Sequence, residues 1–320
     1  MQKLWSGRVD GWSELDLRFH QVLREFDDGA DFGADLGAKV SAKVKNPPSP
    51  KGSKQACFLG YDSDDGIARN QGRVGAAQGP GAIRAALGSL AAIEGLKLYD
   101  AGDVGQKSLE AAHEGYVSKM QRVLGRGMLG IGLGGGHDIA WASFCALRAT
   151  RPGARIGVIN IDAHLDLRDY ETGPNSGTAF AQILASDKNA SYAVLGYKEQ
   201  ANTKRLREKA RQHGVLLLHW DMDEGEALAR LQDFVAAHEC IYLSIDMDAF
   251  SSAHSPGVSA PQPLGLEPRL AVRALRMIVA SKKLALMDLA ELSPRFDIDA
   301  RSAKLAAALI YEALSAYLKG

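Results

Sequence analysis

Ile241-Tyr-Leu-Ser-Ile-Asp-Met-Asp248 decides the fold: a short run of strand character ends in two carboxylates on alternate residues. On extended backbone, residues two apart point to one side, so Asp246 and Asp248 aim into one site. Carboxylates gathered in a low-dielectric crevice repel each other strongly, and divalent cations are the usual remedy. Two other stretches end in the same way. Ile156-Gly-Val-Ile-Asn-Ile161 runs into Asp162-Ala-His-Leu-Asp166, and His137 follows the glycines Gly134-Gly-Gly136. His137, Asp162, His164, Asp166, Asp246 and Asp248 thus offer nitrogen and oxygen donors from three strand ends, the composition of a two-metal hydrolytic centre. A carboxylate-rich set with only two imidazoles favours a hard cation such as manganese over zinc.

Outward from these stretches, apolar runs predict strands at 56–60, 96–100, 128–133, 155–161, 191–195, 215–219, 240–245 and 284–290. Helical spacing fills several of the gaps, as at 80–92, 137–149, 201–213, 225–238, 267–281 and 301–318. Eight strands separated by helices imply an α/β protein with a mostly parallel sheet covered on both faces. In such sheets the ligand crevice lies at the carboxyl ends of the strands, where His137, Asp162 and Asp246 fall. Leu15, Phe19, Val22, Leu23 and Phe26 have helical spacing within 13–26, and a Gly-, Lys- and Pro-rich connection follows from about Asp27 to Lys54. Residues 1–54 read as an appendage packed on a single domain spanning 55–320.

Composition narrows the class of partner. The 320 residues, 46% of them hydrophobic, suffice for one large domain with a buried sheet. Lys plus Arg (38) balance Asp plus Glu (38), so no net field favours nucleic acid or an anionic membrane. A small-molecule substrate is expected. Cys57, Cys145 and Cys240 are far apart in apolar runs and read as buried thiols in a reducing compartment. The first residues are not those of a signal peptide, and no apolar run approaches the ~20 residues a membrane-spanning helix needs. The expected location is the cytoplasm.

The glycine run ahead of His137-Asp138 would let backbone approach a metal or a phosphate. No Lys-Ser/Thr follows it, so His137 is read as a ligand rather than part of a phosphate cradle. Leu218-His-Trp-Asp-Met-Asp223 also alternates His and Asp, but reads as a strand end with Asp221 or Asp223 capping the next helix. His20, His113, His213 and His238 are expected on solvated helix faces, and His254 near the site loop.

These motifs resemble the ureohydrolase superfamily of arginase, agmatinase and formimidoylglutamase. The resemblance covers roughly residues 56–318 and rests on Gly134-Gly-Gly-His-Asp138, Asp162-Ala-His-Leu-Asp166, Ser244-Ile-Asp-Met-Asp248 with Ser255-Pro-Gly257, and Glu291. It implies a three-layer α/β sandwich with an eight-stranded, mostly parallel sheet and two bridged Mn2+ ions. His137, Asp162, Asp166 and Asp246 would bind one ion, and Asp162, His164, Asp246 and Asp248 the other. It also implies a homo-oligomer, trimer or hexamer.

The departures from arginases and agmatinases resemble the formimidoylglutamase subgroup. Gly136 precedes the first ligand His where those enzymes have Asp, Ser251-Ser252 replaces an Asp-Pro pair, and Ser176 stands where many carry His. Leu4-Trp-Ser-Gly-Arg-Val-Asp10, Arg69-Asn-Gln-Gly-Arg-Val-Gly-Ala76 and Ser259-Ala-Pro261 agree with that subgroup, whereas Ala179 departs from its usual Pro. The implied reaction is hydrolysis of N-formimidoyl-L-glutamate to glutamate and formamide. Glu291 would face the amidine, and Asp166 would take the hydroxide proton and pass it to the leaving amine. The substrate's carboxylates call for Arg168, then Arg73 and Asn70, with Ser176 beside them. The alternatives are a hydrolase of agmatine, guanidinobutyrate or arginine, a single-zinc deacetylase, and a non-catalytic metal-binding homologue.

Overall fold

The computed structural model describes residues 4–27, 54–105 and 108–320. Its nine strands are β1 (Arg24–Glu25), β2 (Gln55–Gly60), β3 (Lys97–Asp103), β4 (Leu129–Leu133), β5 (Ile156–Ile161), β6 (Ala190–Tyr197), β7 (Leu216–His219), β8 (Cys240–Asp246) and β9 (Leu284–Ala290). They form one sheet in the order β1-β3-β2-β4-β9-β8-β5-β6-β7, and every pairing is parallel.

Parallel neighbours need long crossovers, which place helices on both faces, so alternate strand residues enter two cores. In β8, Ile241, Leu243 and Ile245 enter one core while Cys240 and Tyr242 enter the other. β5 divides likewise, with Ile159 and Ile161 opposed to Ile156 and Val158. Helices 79–88, 224–237, 268–280 and 301–319 cover the first face; helices 109–125, 139–150, 179–186 and 204–212 cover the second. The result is a three-layer α/β sandwich. Among the described residues no helix is long and apolar enough to cross a membrane.

The eight expected strands are present, and the ninth, β1, arises where a helix was expected. Residues 13–26 form a 3-10 turn at Glu14–Asp16, one helical turn at Phe19–Val22 and β1, which pairs with β3. Leu15 is 97% exposed, so the apolar residues do not make one stripe. Phe19 enters the first core and Phe26 the second. The segment is laid across the sheet edge, and contact with β3 overrides its helical spacing. Trp5 helps hold it there, donating from Nε1 to Asp100 Oδ2 (2.7 Å). Of the expected connection from Asp27 to Lys54, residues 28–53 lie outside the described residues.

Helix 109–125 was not among those read from spacing. It begins at Ser108, whose hydroxyl accepts the Ala111 N–H (3.2 Å), and it buries Leu109, Ala112, Tyr116, Met120 and Val123. His113 lies on that buried face, its Nε2 3.1 Å from Asp138 Oδ2, and is not solvated as expected. His238 is also buried, its Nδ1 2.7 Å from Phe234 O. His20 is half-buried against Gly88 O, and His213 is exposed.

Candidate metal centre

Two strand ends and one glycine turn build the site. β5 delivers Asp162, β8 delivers Asp246, and the turn after β4 delivers His137. The glycines of that turn are required by crowding. A Cβ on Gly134 would lie 2.3 Å from Leu289 O, and one on Gly135 would lie 1.9 Å from Ser63 O. The turn is wedged between strand ends, which carries His137 inward and leaves no phosphate cradle.

The six expected ligands converge in two groups of donors, each group's atoms within 4.8 Å of one another: His137, Asp162, Asp166 and Asp246, then Asp162, His164 and Asp248. His137 Nδ1 lies 3.0 Å from Asp166 Oδ2, 3.0 Å from Asp246 Oδ2 and 3.4 Å from Asp162 Oδ2. His164 Nδ1 lies 3.4 Å from Asp162 Oδ1 and 3.3 Å from Asp248 Oδ2. Asp162 therefore offers one oxygen to each group. Asp246 belongs only to the first; its Oδ1 accepts the Asp248 N–H (2.7 Å).

The convergence does not come from extended backbone. Asp248 lies in the 3-10 turn Met247–Ala249, Asp162 Oδ1 accepts the His164 N–H (2.7 Å), and Asp166 has φ +46°. Ala163, Leu165 and Met247, the residues between the ligands, are fully buried.

The donor set fits cations on the structure's own evidence. Ser244 Oγ donates to Asp288 Oδ1 (2.6 Å) and lies 3.0 Å from His137 Nε2. With its proton committed to the carboxylate, the hydroxyl accepts from the ring, so Nε2 carries a proton and Nδ1, which faces three carboxylates, is the nitrogen left to bind a metal. Nδ1 makes no hydrogen bond, nor does the buried Asp248 Oδ1. Such an electron-rich cage requires a positive charge, and the His137 and Asp residues are the donors for it.

Without an ion, protons supply that charge on the same groups. Burial disfavours a charged His137, but the carboxylates of Asp162, Asp166 and Asp246 outweigh it and hold the ring well above the usual histidine range. The charge of Asp248, opposed by burial, does the same for His164. Burial pushes Asp246 up, with repulsion from Asp248 and Asp162. It raises Asp248 to about 6, against the pull of His164. Asp162, despite its burial, is held low by both imidazoles.

Glu291 is 5% exposed, and its Oε1 accepts the His137 N–H (3.0 Å). Its φ of +65° is strained for a non-glycine residue. Burial, then repulsion from Asp246, pushes its carboxyl well up. At the rim, Asn70 Nδ2 donates to Ser176 Oγ (3.0 Å). Gly177 lets Arg168 close on them: a Cβ there would lie 2.7 Å from Arg168 Cδ and 3.2 Å from Asn70 Nδ2. Arg168 is exposed, and its guanidinium has no ion pair among the described residues.

Arg73 differs from the expectation that it faces substrate. It donates from Nε to Ser259 O (2.9 Å) and from Nη2 to Val258 O (2.6 Å), and lies over Phe296 at 4.1 Å. It braces the 258–259 loop, because carbonyls of that loop meet its fork. His254 is away from the cluster, 3.5 Å from Glu267 Oε2. His219 pairs with Asp221, and Asp223 caps helix 224–237.

Several supporting residues were not read from the sequence. Ser244 and Asp288 orient His137, Asn160 Nδ2 donates to Asp162 Oδ2 (2.9 Å), and Asn202 grips the turn around His164. Ser244 and His137 are 107 residues apart, and no local spacing signals such a pairing.

Fold and site together define the class: a three-layer parallel α/β protein whose strand ends hold a carboxylate–imidazole cluster suited to two divalent cations. The sequence model of the Arginase family matches residues 54–316, and the chain belongs to that family. It is 39% identical to the formimidoylglutamase of Geobacillus thermodenitrificans over 320 residues, 97% of this chain and 94% of the relative. It is 38% identical to that of Rhodococcus opacus over 321 residues, 96% and 93% of the two chains. Among solved structures, Trypanosoma cruzi formiminoglutamase with Mn2+ superposes with a TM-score of 0.78 at 30% identity, covering 85% of this chain and 96% of its own. Bacillus subtilis arginase, at 23% identity and a TM-score of 0.71 over 82% of this chain and 98% of its own, shares the fold.

Proposed function

We propose that the chain hydrolyses the amidine C–N bond of N-formimidoyl-L-glutamate, releasing L-glutamate and formamide, with two Mn2+ ions held by the six-residue cluster. The two donor groups sharing Asp162 carry the reaction class, and the near-full-length likeness to formimidoylglutamases supports the substrate. In this reading His137, Asp162, Asp166 and Asp246 would hold one ion, and Asp162, His164 and Asp248 the other, which Asp246 would join only by releasing its Oδ1 from the Asp248 N–H. When bound, such ions supply a hydroxide nucleophile at neutral pH and positive charge for the transition state.

The chain's own residues do the rest. Glu291 turns the oxygen not engaged by His137 toward the amidine nitrogens, whose charge compensates a buried carboxylate. Asp166 is the most exposed carboxylate of the first group, with its side chain 15% exposed against 0% and 4% for Asp162 and Asp246. It accepts a proton as water adds to the amidine carbon and returns it to the glutamate nitrogen as that C–N bond breaks. An Asp166→Asn protein that kept both ions and full turnover would remove this role. Arg168 grips a substrate carboxylate, with Asn70 and Ser176 shaping the rim and Arg73 bracing the neighbouring loop. Arg168→Ala is expected to raise KM about tenfold or more, ~1.4 kcal/mol per decade, with kcat less affected. An unchanged KM would place Arg168 outside the pocket.

The deciding experiment is turnover of the manganese-loaded protein on N-formimidoyl-L-glutamate, with agmatine and arginine in parallel. Formamide from the first substrate alone is expected. Urea from either of the others would assign the chain to a different hydrolase of the family. Silence on all three with two ions bound would make it a non-catalytic homologue. The same reading places the protein in the cytoplasm as a trimer or hexamer, which sedimentation of the purified chain tests.

A further inference from the structure

Because the turn carrying Asp162, His164 and Asp166 is not extended, something other than strand alternation must hold its shape. The segment Lys198–Asn202, just beyond β6, does so. Asn202 is 4% exposed and spends its whole carboxamide here. Its Oδ1 accepts the Leu165 N–H (2.9 Å), and its Nδ2 donates to Ala163 O (3.0 Å) and Lys198 O (2.8 Å). The Lys198 N–H adds a bond to Ala163 O (3.1 Å), and Tyr192 donates its hydroxyl to Leu165 O (3.1 Å).

An acceptor for one side of His164 and a donor for the other is a combination a carboxamide supplies. A carboxylate lacks the donor, and an alkyl group lacks both. From the same segment Lys198, 2% exposed, donates from Nζ to Gln262 Oε1 (3.1 Å) and to Leu264 O, in the loop that follows Asp246 and Asp248. One short segment therefore ties together the loops that leave β5 and β8, which carry five of the six candidate ligands.

We infer that Asn202 is a positioning residue for the metal centre: its carboxamide holds the Ala163–Leu165 peptides in the shape that aims Asp162, His164 and Asp166 at common points. This rests on the two-manganese reading. The test is Mn2+ titration of metal-free wild type, Asn202→Asp, Asn202→Ala and a distant destabilised control, Leu275→Ala on helix 268–280, with thermal melting of each. Wild type is expected to bind two ions per chain. Asn202→Asp and Asn202→Ala are expected to lose affinity by about tenfold or more, as partners of ligand groups do. Leu275→Ala is expected to lose thermal stability and keep its affinity.

A folded Asn202→Asp protein with wild-type affinity would overturn the inference, as would a Leu275→Ala protein that loses affinity in step with its melting point. Should neither Asn202 variant fold, amide exchange on the wild type decides. Leu165 is expected to be as protected as the core of β5, and rapid exchange there overturns the clip. A wild type that binds no manganese sinks the two-metal reading itself, recognisably, because the unmodified chain fails.

Discussion

At the residue scale, His137 shows how a single side chain is prepared for a metal. The Ser244–Asp288 relay settles which ring nitrogen carries the proton, and the buried hydroxyls of Tyr242 and Ser143 donate to the far oxygen of Asp288 (2.7 and 2.5 Å). The relay therefore has a fixed direction. Ser244→Ala would leave the His137 Nε2–H buried without an acceptor, and the expected loss of Mn2+ affinity is on the order of 10- to 100-fold, read by titration of the metal-free protein. An affinity unchanged within about twofold would show that the ring is oriented by packing alone, against Phe180 at 5.3 Å. The candidate ligands were legible in the sequence because each lies at or just beyond the end of an apolar run. Ser244, Asp288 and Asn202 were not, because their partners lie far along the chain.

At the element scale, the strand ends concentrate carboxylates that only a cation reconciles, and this has a pH signature. Asp248 is raised from 3.8 to about 6 in the metal-free protein. An acid whose folded pKa exceeds its unfolded one holds its proton more tightly in the native state, so native stability falls as pH rises through that window. Metal must displace the same proton, so binding strengthens over the same range. The Mn2+-induced rise in melting temperature is therefore expected to be larger at about pH 7.5 than at about pH 5, by thermal melting with and without the ion. An equal rise at both would mean the carboxylates are already ionised without metal. The strands were readable because burial on both faces makes each an apolar run. The convergence of Asp162, His164 and Asp166 does not follow from the extended alternation that the spacing predicts: a left-handed Asp166 and a clipped turn replace it.

At the scale of the whole molecule, we propose that residues 1–54 are an appendage of one domain spanning 55–320. The described part of that appendage is anchored by an ion cluster at the sheet edge. Arg84, fully buried, grips Asp100 through Nε and Nη2 (2.8 and 3.1 Å) and Asp103 through Nη1 (2.5 Å), while Trp5 bonds the same Asp100. Arg84→Ala would strand a buried carboxylate, with an expected cost of about 3–5 kcal/mol in equilibrium urea unfolding. A loss below about 1 kcal/mol would show that the edge relaxes to admit water.

By itself the sequence determined the layered α/β plan and the identity of the six candidate ligands, because burial and metal chemistry leave local marks in residue type and spacing. Only the tertiary structure decided that, among the described residues, Asp162 alone offers an oxygen to both donor groups, that Arg73 braces a loop while Arg168 makes no ion pair there, and that the 13–26 segment ends in an edge strand at Arg24–Glu25. Each of those outcomes depends on a partner brought close by folding: a carbonyl, a carboxylate or a neighbouring strand that local spacing does not encode.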